Sequence, residues 1–277
     1  MKSPGRELDL LARSRAVLLD ALEVLADQRD AVVVIGAQAI YLQTGGVDVA
    51  LAEATKDSDV ALDPRALVDD PLVEAAMKSG GFVPGDQPGS WLSIDGIPVD
   101  LMVPEQLAGP GGRRGARIPP HHKGVARRAR GLEAALVDNS EIAVRALDPE
   151  DPREIQARVA GPAALLVAKL FKIAERVGTP TRLNDKDAHD IYRVLRAVET
   201  ETLRTTIDDL LSNELSHEVT REAIDHLDEL FGRGPDSLGA VMAGRAEELV
   251  GEPEQVASAV SFLAADLVVA LRSDPTR

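Results

Sequence analysis

The chain is 277 residues long, 44% hydrophobic and only 3% aromatic, with a net charge of −15 and no cysteine. That length suffices for one large domain or two smaller ones, with a core drawn from Ala, Val, Leu and Ile. The missing cysteines exclude disulfides, thiolate metal sites and cysteine nucleophiles, and the acidity argues against wholesale electrostatic binding of nucleic acid.

The start, Met1-Lys2-Ser3-Pro4-Gly5-Arg6-Glu7, lacks the apolar core of a signal peptide. No apolar run reaches the roughly 18 residues of a membrane span, so a cytoplasmic protein with no membrane association is expected. Residues 8–28 carry apolar side chains at helical spacing. Ala31-Val32-Val33-Val34-Ile35-Gly36 follows, a β-branched run suited to a buried strand. Gly36–Leu42 then reads as the start of a helix, a geometry that places backbone N–H groups near an anion. A strand is expected over Asp57–Leu62, a helix over Pro71–Ser79 ended by Gly80-Gly81, and a hairpin around Asp95-Gly96. Residues 108–131 form a Gly/Pro/Arg-rich loop, followed by short strands near Ala134–Val137 and Ile142–Val144. Beyond Gly161-Pro162 the pattern is helical, with helices over Pro162–Val177, Asp185–Val198 and about 200–213, 217–231, 237–250 and 253–272. The fold class is therefore α+β. A mixed sheet with flanking helices occupies residues 1–155, and a helical bundle occupies 156–277.

Three carboxylates stand out. Asp57 and Asp59 are one residue apart in Ala54-Thr55-Lys56-Asp57-Ser58-Asp59-Val60-Ala61-Leu62, and Asp100 lies in Ile97-Pro98-Val99-Asp100-Leu101-Met102-Val103. Alternate residues of a strand share a face, with Cα atoms about 6.6 Å apart. Two such carboxylates, joined by one from a neighbouring strand, make an oxygen-rich site for Mg²⁺. The plainer alternative is a solvated strand face, but aspartate is disfavoured in strands. Charge is also unevenly spread. Arg113, Arg114, Arg117, Lys123, Arg127, Arg128 and Arg130 give residues 113–130 a charge of +7 with no acid, which leaves −22 on the rest of a chain totalling −15. That stretch is either a polyanion clamp or a solvated excursion. His121-His122 lack a matching metal cluster and extend the same stretch.

The order Val34-Ile35-Gly36-Ala37-Gln38-Ala39, Thr55-Lys56-Asp57-Ser58-Asp59 and Pro98-Val99-Asp100-Leu101 resembles the DNA polymerase β-like nucleotidyltransferases. The second half sharpens the resemblance. Ala163-Ala164-Leu165-Leu166-Val167-Ala168-Lys169-Leu170, then Arg176, then Asn184-Asp185-Lys186-Asp187-Ala188-His189-Asp190 looks like the AbiEii/MenT-type nucleotidyltransferase toxins. The likeness covers roughly residues 30–195. It departs at Ala37, where the family usually carries Gly, Ser or Thr.

The resemblance implies an enzyme that transfers a nucleoside monophosphate from an NTP to a hydroxyl, with tRNA 3′ ends the favoured acceptor and an antitoxin protein as a partner. Asp57 and Asp59 would hold Mg²⁺, and Asp100 would hold a second ion or activate the acceptor hydroxyl. Gly36, Ala37, Thr55, Lys56 and Lys169 would meet the nucleotide, Lys169 by stabilising phosphate charge. Asp187 would orient Lys169 or the acceptor, and the seven basic residues of 113–130 would contact RNA. Lys169 also admits a plain reading as a lysine whose stem lies along an apolar helix face with its head in water. The alternatives in function are a nucleotidyltransferase acting on a small cationic molecule such as an aminoglycoside, and a non-catalytic nucleotide-binding module.

Overall fold

The computed structural model describes residues 4–45, 49, 57–111, 114–248 and 250–273. The chain divides into two units. The first comprises Met1–Leu42 and Ala54–Gly161, the second Gln43–Glu53 and Pro162–Arg277. The division falls at Gly161-Pro162 rather than after residue 155, because residues 154–160 form a strand of the sheet.

The first unit opens with helix α1 (Pro4–Val24) and a 3₁₀ turn over Ala26–Ala31, then runs into strand β1 (Val32–Ile35) and helix α2 (Gly36–Gln43). There follow β2 (Ser58–Leu62), α3 (Val73–Ser79), β3 (Val83–Pro84), β4 (Ser90–Leu92), β5 (Pro98–Pro104), β6 (Arg127–Ala129), β7 (Asn139–Arg145) and β8 (Glu154–Ala160). Among the described residues these strands make one mixed sheet in the order β3-β4-β5-β2-β1-β8-β7, with β6 also paired to β5. β1 lies inside the sheet and all four of its residues are buried, which is why it reads as an unbroken Val/Ile run. It pairs antiparallel with β2 and parallel with β8, while β2 pairs parallel with β5. β4 and β5 form the hairpin expected around Asp95-Gly96, with Gly96 at φ 73°.

Two expectations are corrected by the fold. Glu133–Leu136 is a buried 3₁₀ turn, not a strand; Ala and Leu there lack the β-branched character that favours a strand. Residues 108–131 are not a continuous loop, because β6 lies within them and pairs parallel with β5. The segment is tied down elsewhere too. The Trp91 indole N–H donates to the Val125 carbonyl at 3.0 Å, and buried His121 accepts through Nδ1 from the Val73 N–H at 3.2 Å. The Glu133 carboxylate accepts from the Gln106 N–H at 3.1 Å and the Gly131 N–H at 2.9 Å, one donor at each end of the segment. Burial pushes the Glu133 carboxyl up from its ordinary value, against the pull of those backbone donors.

The second unit is helical: α4 (Pro162–Ala174), α5 (Asp185–Ala197), α6 (Thr200–Ser212), α7 (His217–Leu227), α8 (Leu238–Arg245) and α9 (Pro253–Arg272). Arg193 on α5 donates to Thr44 Oγ1 at 2.9 Å and to the Val49 carbonyl at 3.0 Å, which joins described residues of the 43–53 segment to the helices. Helix α9 packs against α5, α6 and α8. By length and composition α9 is apolar enough to cross a membrane, with a mean hydropathy of 1.5. The expectation that no segment qualifies overlooked it because Ser258, Ser261 and Asp266 interrupt the apolar run without lowering its average far enough.

Replacing Glu133 with Ala should destabilise the first unit by about 1–3 kcal/mol, because the buried Gly131 N–H and the part-buried Gln106 N–H would lose their acceptor. Urea unfolding measures this. An unchanged midpoint would show that the carboxylate does not hold the 105–131 segment.

Candidate functional site

In the first unit the site grows from the end of β1. Gly36 has φ 70°, a left-handed conformation that suits glycine. A Cβ at Gly36 would overlap the Asp59 carboxylate, so the absent side chain leaves room for that group. Ile35 and Asp59 face each other across β1 and β2. Asp59 and Asp100 are register partners across parallel β2 and β5, so their side chains emerge from one face of the sheet. Asp57 lies two residues before Asp59, immediately ahead of β2. All three carboxylates are half-buried. The strand pairing thus brings Asp59 beside Asp100, with Gly36 against Asp59. Ala37 is buried in the first turn of α2. Thr55, Lys56 and Arg113 lie outside the described residues.

The basic residues divide into two groups. Arg114, Arg117 and Lys123 are exposed. Arg114 donates to the Gln87 side chain at 2.8 Å. The second group is built into the sheet edge. Arg127 Nη2 lies 3.1 Å from Asp100 Oδ2. Arg128 donates to the Gly109 carbonyl at 2.7 Å and lies 4.0 Å from Glu105. Arg130 is half-buried on the residue after β6. Sequence reasoning treated all seven cations as one basic stretch and missed the Arg127–Asp100 pair. A strand hidden inside an Arg-rich run gives no hydrophobic alternation from which to find it.

The second unit holds an ion network of its own. Lys169 on α4 is buried, with its side chain 7% exposed, and its ammonium lies 2.7 Å from Asp187 and 2.6 Å from Asp190. Lys172 lies 2.9 Å and Arg176 3.4 Å from Asp187, and Lys186 lies 3.6 Å from Asp190. Asn184 caps α5, its side-chain oxygen accepting from the Lys186 N–H at 3.0 Å. Asp187 falls in the first turn of that helix, where the helix dipole favours a negative charge. The plain reading of Lys169 as a surface lysine is corrected, since its ammonium is enclosed and paired. Lys172 follows Lys169 by three residues on one face of α4, and Arg176 lies two residues past the end of the helix; that spacing was the signal available in the sequence.

Burial works against every charge in this network. It would lower the Lys169 ammonium, but Asp187 and Asp190 outweigh it and hold the group above its ordinary value. Burial would raise Asp187 and Asp190, but the lysines reverse this and hold both carboxylates below theirs. Lys186 differs, because burial wins there and lowers it. Around two carboxylates stand four cations, Lys169, Lys172, Arg176 and Lys186, so the cluster is net positive.

Comparison with protein-family models, curated proteins and solved structures finds no match to this chain.

The depressed carboxylates stabilise the fold above about pH 4 and cease to do so as the solution becomes more acid. The raised Lys169 stabilises it below about pH 10 and ceases to do so at higher pH. The lowered Lys186 acts in the opposite sense and costs stability while protonated. Lys169→Met should therefore cost about 3–5 kcal/mol at neutral pH by leaving two buried carboxylates without their central cation, whereas Lys186→Met should leave stability unchanged or raise it. Chemical denaturation at pH 7 distinguishes the two variants. Equal losses would contradict the division of roles.

Proposed function

We propose that this chain is a Mg²⁺-dependent nucleotidyltransferase that transfers a nucleoside monophosphate from an NTP to a hydroxyl of a polynucleotide, with tRNA as the favoured acceptor. The observation that carries the reading is the junction at Gly36. A strand ends, a glycine in the left-handed region opens a helix, and Asp59 fills the space over that glycine with Asp100 beside it. Backbone donors at a helix start suit phosphates, and clustered carboxylate oxygens suit a hard divalent cation.

The donor set fits such an ion at Asp57 and Asp59, carboxylates two residues apart at the start of β2. Among the described residues, no three His or carboxylate side chains form a ready-made metal group, so the cage is incomplete without substrate oxygens, as is usual for Mg²⁺. When bound, the ion would neutralise charge on the transferring phosphoryl group. The chain's own residues do the positioning. Gly36 leaves the room that the Asp59 carboxylate occupies, Asp57 and Asp59 fix the NTP by its cation, and Asp100 stands beside Asp59 to orient the acceptor hydroxyl.

Exposed Arg114, Arg117 and Lys123 favour a polyanionic acceptor over a cationic small molecule. In the helical unit, the surplus charge of Lys172 and Arg176 is available to phosphates of the same class of substrate. Lys169, which the resemblance assigns to the phosphates, is held between Asp187 and Asp190, and in this reading it acts with them beside the phosphate charge. An antitoxin protein belongs to this reading as a proposed partner.

Incubation with total tRNA and each labelled NTP tests the proposal. Wild-type chain should label RNA, and Asp57→Asn or Asp59→Asn should reduce labelling by at least about 10³-fold, since the cation's anchor is removed. A near-normal rate in either variant would remove those residues from the chemistry.

Replacing Arg114, Arg117 and Lys123 together with Ser should weaken RNA binding and flatten its salt dependence by about three units of slope or fewer, one for each phosphate no longer neutralised. NTP binding should not change. Filter binding across a salt series measures this. An unaltered slope would favour a small acceptor.

A further inference from the structure

The helical unit also holds a pocket that the proposed chemistry does not use. It is lined from α5 and α9, has a volume of about 490 Å³, and takes in Tyr192, Glu247, Glu252, Gln255 and Phe262. Glu247 stands in the turn after α8 with its side chain only 8% exposed, and its Oε1 lies 2.7 Å from His189 Nε2. Its second oxygen, Oε2, has no hydrogen-bond partner among the described residues. Gly251 makes the room for that oxygen, since a Cβ there would overlap it. The Glu247 charge is felt in the pocket wall: burial, and then that charge, push the Tyr192 hydroxyl above its ordinary value.

Glu252 adds an exposed carboxylate at the start of α9, and Gln255 adds an amide. Arg196 lines the pocket too, but it hydrogen-bonds the Tyr192 hydroxyl and forms an ion pair with neither carboxylate. Phe262 is 74% exposed, a large ring that folding leaves in water. A carboxylate this deeply buried calls for a donor on each oxygen, and an aromatic face beside it attracts a cation. The apolar wall of Val256, Phe262 and Leu263 suits a carbon stem rather than a hydrated metal ion.

We propose that this pocket binds an organic cation, an ammonium or guanidinium on an apolar stem, with Glu247 Oε2 and Glu252 accepting from the charged head and Phe262 covering the stem. The site goes beyond the nucleotidyltransferase reading and does not depend on it. The cation is either a small free amine or a basic side chain presented by a protein.

The test is titration of the full chain with butylguanidinium, followed by ligand-observed NMR, against the neutral isostere butylurea. Butylguanidinium should bind saturably, and butylurea at least about tenfold more weakly, because hydrogen bonds between charged groups are lost. Glu252→Gln and Phe262→Ser alter exposed side chains and should keep the fold; each should weaken binding about two- to fivefold. Glu247→Gln keeps an acceptor for His189 and should weaken binding by about tenfold or more at an unchanged melting temperature. The acetylated tripeptide amide Leu-Arg-Leu identifies the source. Tighter binding than butylguanidinium supports a basic side chain of a protein partner, and equal or weaker binding supports a free cation. Equal affinity for butylurea, no saturable binding of butylguanidinium, or wild-type affinity in both Glu252→Gln and Phe262→Ser would overturn the proposal.

Discussion

The parallel pairing of β2 with β5 is the constraint on which the site depends. It sets Asp59 opposite Asp100 and leaves two like charges a strand's width apart. Such a pair is costly unless a cation attends it. The fold meets that demand at Asp100 with Arg127 from β6. The same register explains Gly36. Asp59 needs the room that a Cβ would fill, so the β1–α2 turn and the acidic strand constrain each other.

The helical unit solves a different problem. Its buried lysine is enclosed by Asp187 and Asp190, and the net positive charge of the cluster is carried at its edge by Lys172 and Arg176. Low dielectric makes each of these pairs strong and each broken pair expensive. Lys186 alone is held against its own preference.

Much of this was legible in the sequence. The β-branched run of β1, the Asp-Gly hairpin and every helix of the second unit follow from periodicity and breakers, because those elements bury one continuous face or end at Gly and Pro. The acidic strands were legible because aspartate is out of place in a strand. What escaped were elements whose stability comes from distant partners. β6 is an Arg-Arg-Ala segment that is a strand only because β5 lies beside it. β8 alternates weakly, and its parallel partner β1 lies more than a hundred residues earlier. The Arg127–Asp100 pair is invisible for the same reason. The fate of Lys169 was half legible: an apolar helix predicts that the lysine needs a partner, but not that both partners sit on α5.

The central claim is that this arrangement cleaves an NTP between its α- and β-phosphates and joins the α-phosphate to an acceptor hydroxyl. The direct measurement compares α-labelled with γ-labelled NTP in the presence of RNA. The α-label should enter the RNA while the γ-label leaves as pyrophosphate. Incorporation of γ-label, or release of free phosphate without RNA labelling, would contradict it.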